Sequence, residues 1–563
     1  MKLLLKALRC WPWLAAIATG LLCTGCFAPF DQWWLCWIAL TPLIAAVWFS
    51  GRRAKRRWLR DLLLGYIAGV AFFWSVFSWL ITVTFPGLVL VGLYMGIYFA
   101  FWSWLCGRLR PADPKKIAKS KPAKALMLQR KRHPLATSPW LHSSRNLALA
   151  LVLAAAWVTQ EMLRGVVFSG WGWNTLGHAL HGQWPLIQIA EITGVGGLSF
   201  LVALVNVIAV TSVRRFILEA QVGVTRPHYD FTLTLLAVVA VMAYGLRAVQ
   251  VVHEPSTPLR VTAVQANIPR EQKFSPQFAQ GIFDQFSRLS DYALRSQAQP
   301  DLLVWPESSM PAPVLQDQAS YDFVMNFSAS AKADLLLGAI DEDEKNVYNA
   351  ALLISEAGKR VQLYRKVHLV PFGEYVPGRH TLPFLAQVVG DQVPDDFGFG
   401  KDFTVFRLTN TKVAVAPLIC FEDTIGELTR QFVLRGANLL ANVTNDGWFQ
   451  RSAGSRQHLE NAVFRCVETR RPMVRAANTG VTCFINEFGR ITQVLLDNSG
   501  SQFTEGILSS EVAIPTAGKL TFYVRHGELF TYACATVTLI VIGFLSRGPI
   551  LRGTRRVLQT LRH

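Results

Sequence analysis

The sequence predicts a helical membrane domain of eight spans joined to a single α/β domain on the outer, extracytoplasmic side. Three observations predict it. Long apolar runs crowd Met1–Leu246 and recur once near the end, while basic residues gather in alternate connecting segments. Between Leu259 and Phe522, short strand-like runs alternate with amphipathic helical patterns. The composition, 51% hydrophobic with a mean hydropathy of +0.28, is an average over these two unlike populations.

Crossing a bilayer takes ~20 apolar residues. The runs read as spans are Trp11–Ala28, Trp33–Phe49, Leu62–Val83, Gly87–Cys106, Leu147–Phe168, Val195–Val213, Phe231–Leu246 and Gly527–Leu545. The first resembles a cleaved leader, but a second run follows after a short turn, so it reads as a membrane helix. The domains are then 1–250 (seven spans), 259–522 (the α/β domain), and 527–545 (the eighth span) with a basic cytoplasmic tail, 546–563.

The net charge of +19 invites a nucleic-acid reading, which its placement excludes. With Met1 inside, the cytoplasmic segments are the N-terminus, Ser50–Asp61, Gly107–Asn146, Arg214–Asp230 and Ser546–His563. They hold 28 of the 56 Lys and Arg but 4 of the 37 Asp and Glu. That asymmetry is the positive-inside rule. The clusters Arg52–Arg57 and Gln129–Arg132 are therefore membrane-surface anchors, and Pro111–Ala125 is a solvated loop. Nine cysteines are scattered. Cys23 and Cys26 have CxxC spacing inside an apolar run with no His or carboxylate beside them, which reads as packing. The outer domain keeps three, Cys420, Cys466 and Cys483, an odd number that leaves a free thiol or an intermolecular bond.

In the outer domain Leu259–Ala266 reads as a strand, Gln277–Ser296 as an amphipathic helix and Asp301–Trp305 as a second strand. A helix at Tyr321–Ala331 leads to a strand at Asp334–Ile340. Val347–Ile354 and Val361–Tyr364 read as a hairpin. Val413–Ile419, Asn438–Val443 and Met473–Ala477 are further strands, separated by helices near Ile425–Arg435 and Arg456–Arg470, before a hairpin around Asn486–Arg490. Strand ends in such a layered domain carry function. Glu307, Lys366 and Cys420 each stand just past a strand. Taken singly they read as a loop charge, a solvated lysine and a small apolar filler.

Taken together and in this order, they resemble the Glu–Lys–Cys triad of the nitrilase (carbon–nitrogen hydrolase) superfamily. Further matching blocks are Asn442–Phe449 (NVTNDGWF) and Arg471–Gly480 (RPMVRAANTG). The resemblance covers nearly all of the outer domain and implies an α-β-β-α sandwich. Within the superfamily the chain resembles its membrane branch, the bacterial apolipoprotein N-acyltransferases. The blocks Cys26–Phe30 (CFAPF), Trp157–Gly165 (WVTQEMLRG), His368–Pro377 (HLVPFGEYVP) and Trp448-Phe449…Gln457-His458 carry it.

That resemblance implies Cys420 as nucleophile, Glu307 as the base that takes its proton, and Lys366 as the cation that stabilises the oxyanion. It implies Glu374 and Glu422 as carboxylates that hold Lys366 charged and oriented. Phe274 stands where the family often has Trp, and Phe421 where it often has Tyr; both keep a ring and lose a polar group. Trp448 and His458 fall in its substrate-side motifs. The implied reaction moves an acyl chain from a membrane phospholipid, typically phosphatidylethanolamine, through a thioester to the α-amine of a diacylglyceryl-cysteine on an apolipoprotein. No cofactor or metal is implied: ester to thioester is nearly balanced and thioester to amide is downhill, so no ATP is required. The location implied is the bacterial inner membrane, with the α/β domain in the periplasm. A membrane-tethered amidase with water as acceptor is the nearest alternative, and a non-enzymatic scaffold the next.

Three further groups stand out. Glu161 and Arg164 share a helix face in the fifth span, as a structural pair or a substrate contact. His178 and His181 have near-ligand spacing but lack a supporting cluster, and read as interfacial loop residues. Trp171, Trp173 and Trp184 suit an outer aromatic belt.

Overall fold

The apolar runs fold into helices because nothing in a bilayer core but an internal carbonyl can accept a peptide N–H. A computed structural model describes residues 2–51, 54–111, 138–250, 255–296, 298–379, 395–409, 411–516 and 518–560. Its membrane part comprises α1 (Lys2–Gly25), α2 (Thr41–Phe49), α3 (Arg57–Val76), α4 (Phe85–Arg108), α5 (Pro139–Val166), α6 (Val195–Val222) and α7 (Tyr229–Gln250). Arg52, Arg53, Gln129–Arg132, nearly all of Pro111–Ala125 and the last tail residues lie outside the described residues.

Among the described residues six helices are long and apolar enough to cross a membrane: α3 to α7 and the last helix. Eight were expected. The first expected span is a shorter apolar stretch, Cys10–Gly25, and the second, Trp33–Phe49, breaks into a 3₁₀ turn at Trp33–Trp37 and the nine residues of α2. At 1.5 Å per residue α2 is about 14 Å long, half a bilayer core. Asn206 of α6 marks the break, since its Oδ1 accepts from Leu40 N at 2.9 Å. The third expected span ends early at Val76 and continues as a 3₁₀ turn, Ser78–Thr82. Small residues let α3 and α4 close up: a Cβ on Gly69 would stand 2.8 Å from Gly96 Cα.

The α/β domain begins with β1 (Ser256–Gln265), α8 (Ala279–Ser296), β2 (Leu302–Trp305) and α9 (Gln318–Ala331). Next come β3 (Asp334–Glu342), β4 (Val347–Ser355), β5 (Arg360–Arg365), β6 (Phe406–Arg407), β7 (Ala414–Ile419) and α10 (Gly426–Leu434). The chain closes with β8 (Leu439–Thr444), α11 (Gly454–Thr469), β9 (Met473–Ala477), β10 (Cys483–Ile485), β11 (Ile491–Val494), β12 (Gly506–Pro515) and α12 (Leu529–Thr560). They build two six-stranded sheets, ordered β12-β1-β2-β3-β4-β5 and β11-β10-β9-β8-β7-β6. The sheets meet face to face, with β1 against β9, β3 against β8 and β4 against β7. Helices α8 and α9 cover the outside of the first sheet through Ile282, Phe286, Leu289, Val324 and Phe327, packed around Trp305. The strands β2, β7, β8 and β9 are buried along their whole length, which is why β2 and β7 read as continuous apolar runs and not as alternation. The result is the α-β-β-α sandwich.

Helix α11 lies between the second sheet and the membrane domain and is buried almost throughout. Its Gln457 donates to the carbonyls of Ala28 (2.8 Å) and Val76 (3.1 Å) and accepts from Trp79 Nε1 at 3.0 Å. One amide side chain thus ties the sandwich to both membrane-domain turns. The strands β6 and β12 were not expected. The half-exposed run of β12 reads as loop until it pairs antiparallel with β1, Val261 opposite Ser510.

Candidate active site

Three strand ends converge. The apolar strand β7 stops at Cys420, whose φ of +51° reverses the chain into the 3₁₀ turn Cys420–Thr424. A left-handed non-glycine residue costs about 1–3 kcal/mol and persists only where its surroundings hold it. Here Asn442 Nδ2 donates to the Cys420 carbonyl at 3.0 Å, and Glu422 Oε2 accepts from Ile419 N at 2.9 Å. Burial and the nearby Glu307 push the Cys420 thiol well above its ordinary range, against the pull of Lys366 and of the Thr444 hydroxyl. The resting sulfur is therefore a thiol, and its reaction needs a base.

Glu307 follows β2 and sits against β3. A Cβ on Gly338 would come within 2.4 Å of Glu307 Cα, so glycine there is what lets the turn approach the strand. Burial raises the Glu307 pKa while Lys366 opposes it. Asn349 Nδ2 donates to Glu307 Oε1 and to Glu374 Oε1, at 2.7 Å each. Lys366 is 1% exposed and lies 2.9 and 2.8 Å from the two Glu374 oxygens. Burial works against its ammonium, but Glu374, Cys420, Glu307 and Glu422 outweigh it and hold Lys366 above the usual lysine range. Glu374 Oε2 also accepts from Val370 N at 2.8 Å, fixing the loop that carries it.

Glu422 differs from the expectation. It does not orient Lys366: its oxygens accept from Tyr364 OH (2.8 Å), Val367 N (2.9 Å), His368 N (3.1 Å) and Ile419 N. It laces the end of β7 to the segment after β5 and acts on the lysine through charge alone. Burial brings its own pKa up to about 7, opposed by Lys366.

Phe421, 5% exposed, stacks between Trp173 (centroids 5.8 Å apart, 18°) and His368 (5.9 Å, 23°). Trp173 is accordingly no belt residue: it is buried, and Arg164 Nη1 donates to its carbonyl at 2.7 Å. Glu161 accepts from Trp157 Nε1 and Leu176 N, so the Glu161–Arg164 pair braces the loop that delivers Trp173. Trp184 keeps the exposure expected of a belt, at 43%. His178 is held by Thr175 and packs edge-on against Phe464. No group of three possible metal ligands occurs among the described residues.

His458 lies in a buried cluster beside that aromatic wall. Its Nε2 contacts Asp423 Oδ1 at 2.8 Å and its Nδ1 contacts Asp446 Oδ1 at 2.9 Å, while Arg475 reaches Asp446 at 3.2 Å and Asp423 at 3.5 Å. Burial disfavours the imidazolium, but Asp423 and Asp446 prevail and bring His458 up to about 9. Trp448 lies toward the membrane domain, its carbonyl accepting from Thr82 and its ring 3.3 Å beneath the Arg270 guanidinium. Phe274 is 55% exposed nearby in the chain. Asn349, Trp173 and Lys273 are the site neighbours that sequence reasoning missed. Lys273 immediately precedes Phe274 in the same motif, which was the available signal.

Two family models match the chain. One, described as the apolipoprotein N-acyltransferase N-terminal domain, covers residues 19–208, and the other, carbon-nitrogen hydrolase, covers residues 260–521. An apolipoprotein N-acyltransferase from Geobacter metallireducens is 33% identical over 95% of both chains. Namesakes from Nitrosomonas europaea (29%, over 94% of this chain and 96% of its own) and Pseudomonas aeruginosa PAO1 (30%, 92% of both) are also similar. Among solved structures, XC1258 from Xanthomonas campestris, a CN-hydrolase superfamily protein, aligns over 49% of this chain and 96% of its own. The sequence identity is 16% and the TM-score 0.36.

Proposed function

The chain belongs to the apolipoprotein N-acyltransferase family, and from that membership we propose a two-stage transfer in which Cys420 carries the acyl group. In the first stage Sγ attacks the ester carbonyl carbon of a phospholipid as its proton passes to Glu307. The oxyanion forms against the Lys366 ammonium and the backbone N–H of Phe421. The ester C–O bond breaks, Glu307 returns the proton to the departing alcohol, and a lysophospholipid leaves behind a thioester. In the second stage the neutral α-amine of a diacylglyceryl-cysteine attacks the thioester and gives its proton to Glu307. The C–S bond breaks, the sulfur regains a proton, and an amide remains. Phosphatidylethanolamine is the proposed donor.

The observation that supports this reading most is the meeting of a half-buried thiol, a carboxylate and a carboxylate-paired ammonium at three strand ends. The aromatic wall of Trp173, Phe421 and His368 adjoins it, Trp448 lies on its membrane side, where acyl chains arrive, and Phe274 is the exposed aromatic proposed to meet them. Glu374 orients Lys366, and Glu422 and His458 support the turn after Cys420.

The proposed topology has eight spans, with Cys10–Gly25 and Trp33–Phe49 completing the six long helices, in domains 1–250, 259–522 and 527–545. Adding or removing that first pair leaves the parity unchanged. The basic segments stay on one face and the sandwich on the other in either case, which favours a periplasmic sandwich on a bacterial inner membrane. The test is mass spectrometry of the full chain with phosphatidylethanolamine and no acceptor. The expected product is one added acyl chain, removable by hydroxylamine and missing in Cys420→Ser. A full-yield, hydroxylamine-labile adduct in Cys420→Ser overturns the assignment.

A further inference from the structure

Lys273 closes the one-turn helix Arg270–Lys273 and is 2% exposed. Its Nζ donates to the main-chain carbonyl of Glu307 at 2.6 Å. An ammonium has three donors, and that carbonyl is the acceptor the described residues supply. A lysine buried without a carboxylate at contact distance loses its charge readily. Burial brings Lys273 down to about 8, while Glu307 and Cys420 act to keep it protonated.

The charge balance of the site explains why a cation belongs there. Lys366 acts on both Glu307 and Cys420 but is paired with Glu374 at contact, so the negative charge that passes between Glu307 and Cys420 has in it only a shared counter-ion. Lys273 is coupled to both groups. The remaining ionisable neighbours do not replace it. His368 is pushed down to about 4 by burial and Lys366, Asp446 is matched by Arg475 and His458, Glu422 is anionic or neutral, and Arg270 is turned onto Trp448.

We propose that Lys273 is a positioning residue of the acyl transfer: its ammonium grips the peptide at Glu307 and balances the negative charge that moves between Glu307 and Cys420. The inference rests on the roles proposed above for those two residues.

The experiment follows single-turnover acyl-enzyme formation across pH on the full chain in detergent, with phosphatidylethanolamine as probe. It compares wild type, Lys273→Met, Lys273→Arg and Cys420→Ser. Wild-type acylation falls as pH rises through about 8, where Lys273 loses its proton. Lys273→Met acylates about 10- to 100-fold more slowly at pH 7 with the KM for lipid unchanged, and its acid limb moves to higher pH because Glu307 has lost a counter-charge. Lys273→Arg keeps its rate above pH 8, since a guanidinium stays protonated there. Iodoacetamide alkylation of the Cys420 peptide supplies a measurement independent of turnover, and in Lys273→Met its pH midpoint moves up. A wild-type rate and pH profile in Lys273→Met overturns the proposal. So does a loss of rate in both Lys273 variants with an unmoved alkylation midpoint, since Lys273 then serves the fold alone. Acyl-enzyme formation by Cys420→Ser overturns the underlying site reading instead.

Discussion

Two buried charge clusters sit side by side in the sandwich and behave differently. In the His458–Asp423–Asp446–Arg475 cluster each cation touches both carboxylates, and all four residues are at most 1% exposed. In the Glu307–Lys366–Glu374–Cys420 cluster the lysine is satisfied, yet Glu307 and the thiol are both pushed toward their protonated forms, and Cys420 keeps some exposure. A closed cluster of matched charges holds structure in place. An open one, with a proton to move and a sulfur within reach, is equipped for chemistry.

If that contrast holds, the two clusters fail in different ways. The largest expected effect is chemical: Glu307→Gln lowers acyl-enzyme formation by about 10²- to 10⁴-fold, the range of a general base, with the melting temperature unchanged. Quenched-flow acylation beside a thermal scan checks it, and a large loss of Tm in that variant blurs the distinction. In the closed cluster, Arg475→Met strands two aspartates against one imidazolium and destabilises the fold by about 3–5 kcal/mol. Denaturant melts in detergent read it, and Asp446→Asn combined with Arg475→Met recovers part of the loss, because the two changes share one interaction.

The smallest effect is a pH dependence. His458 is held at about 9 when folded, against its ordinary 6.5. The stability it contributes is therefore fully present below pH 6.5 and is lost as pH rises through about 9. A His458→Asn variant whose stability falls just as steeply between pH 7 and 10 rules that origin out.

Much of the sandwich was legible locally. The continuous apolar runs that became β2 and β7 announce strands buried on both faces, and the amphipathic run of α8 announces a covering helix. The proposed triad residues were legible through their motifs, each at a strand end. The failures have physical causes. Trp33–Phe49 has the hydropathy of a span, but Pro42 and the tether from Asn206 to Leu40 N divide it. In β12, five residues in a row are half-exposed, so periodicity is silent until β1 supplies a partner. Trp173 lies 248 positions before Phe421, on a loop whose aromatics are equally suited to a lipid interface.

By itself the sequence determined which segments are apolar enough for a membrane, which connecting segments are basic, and which strand ends carry a carboxylate, an amine and a thiol. These are properties of short runs, and hydropathy and periodicity act over short runs. The tertiary structure alone decided which charge meets which: Lys366 with Glu374, Glu422 with backbone amides in place of the lysine, and Lys273 with the carbonyl of Glu307. Ion pairs and hydrogen bonds are set by a few ångströms of separation, and residues distant in the chain reach that separation only when the two sheets close on one another.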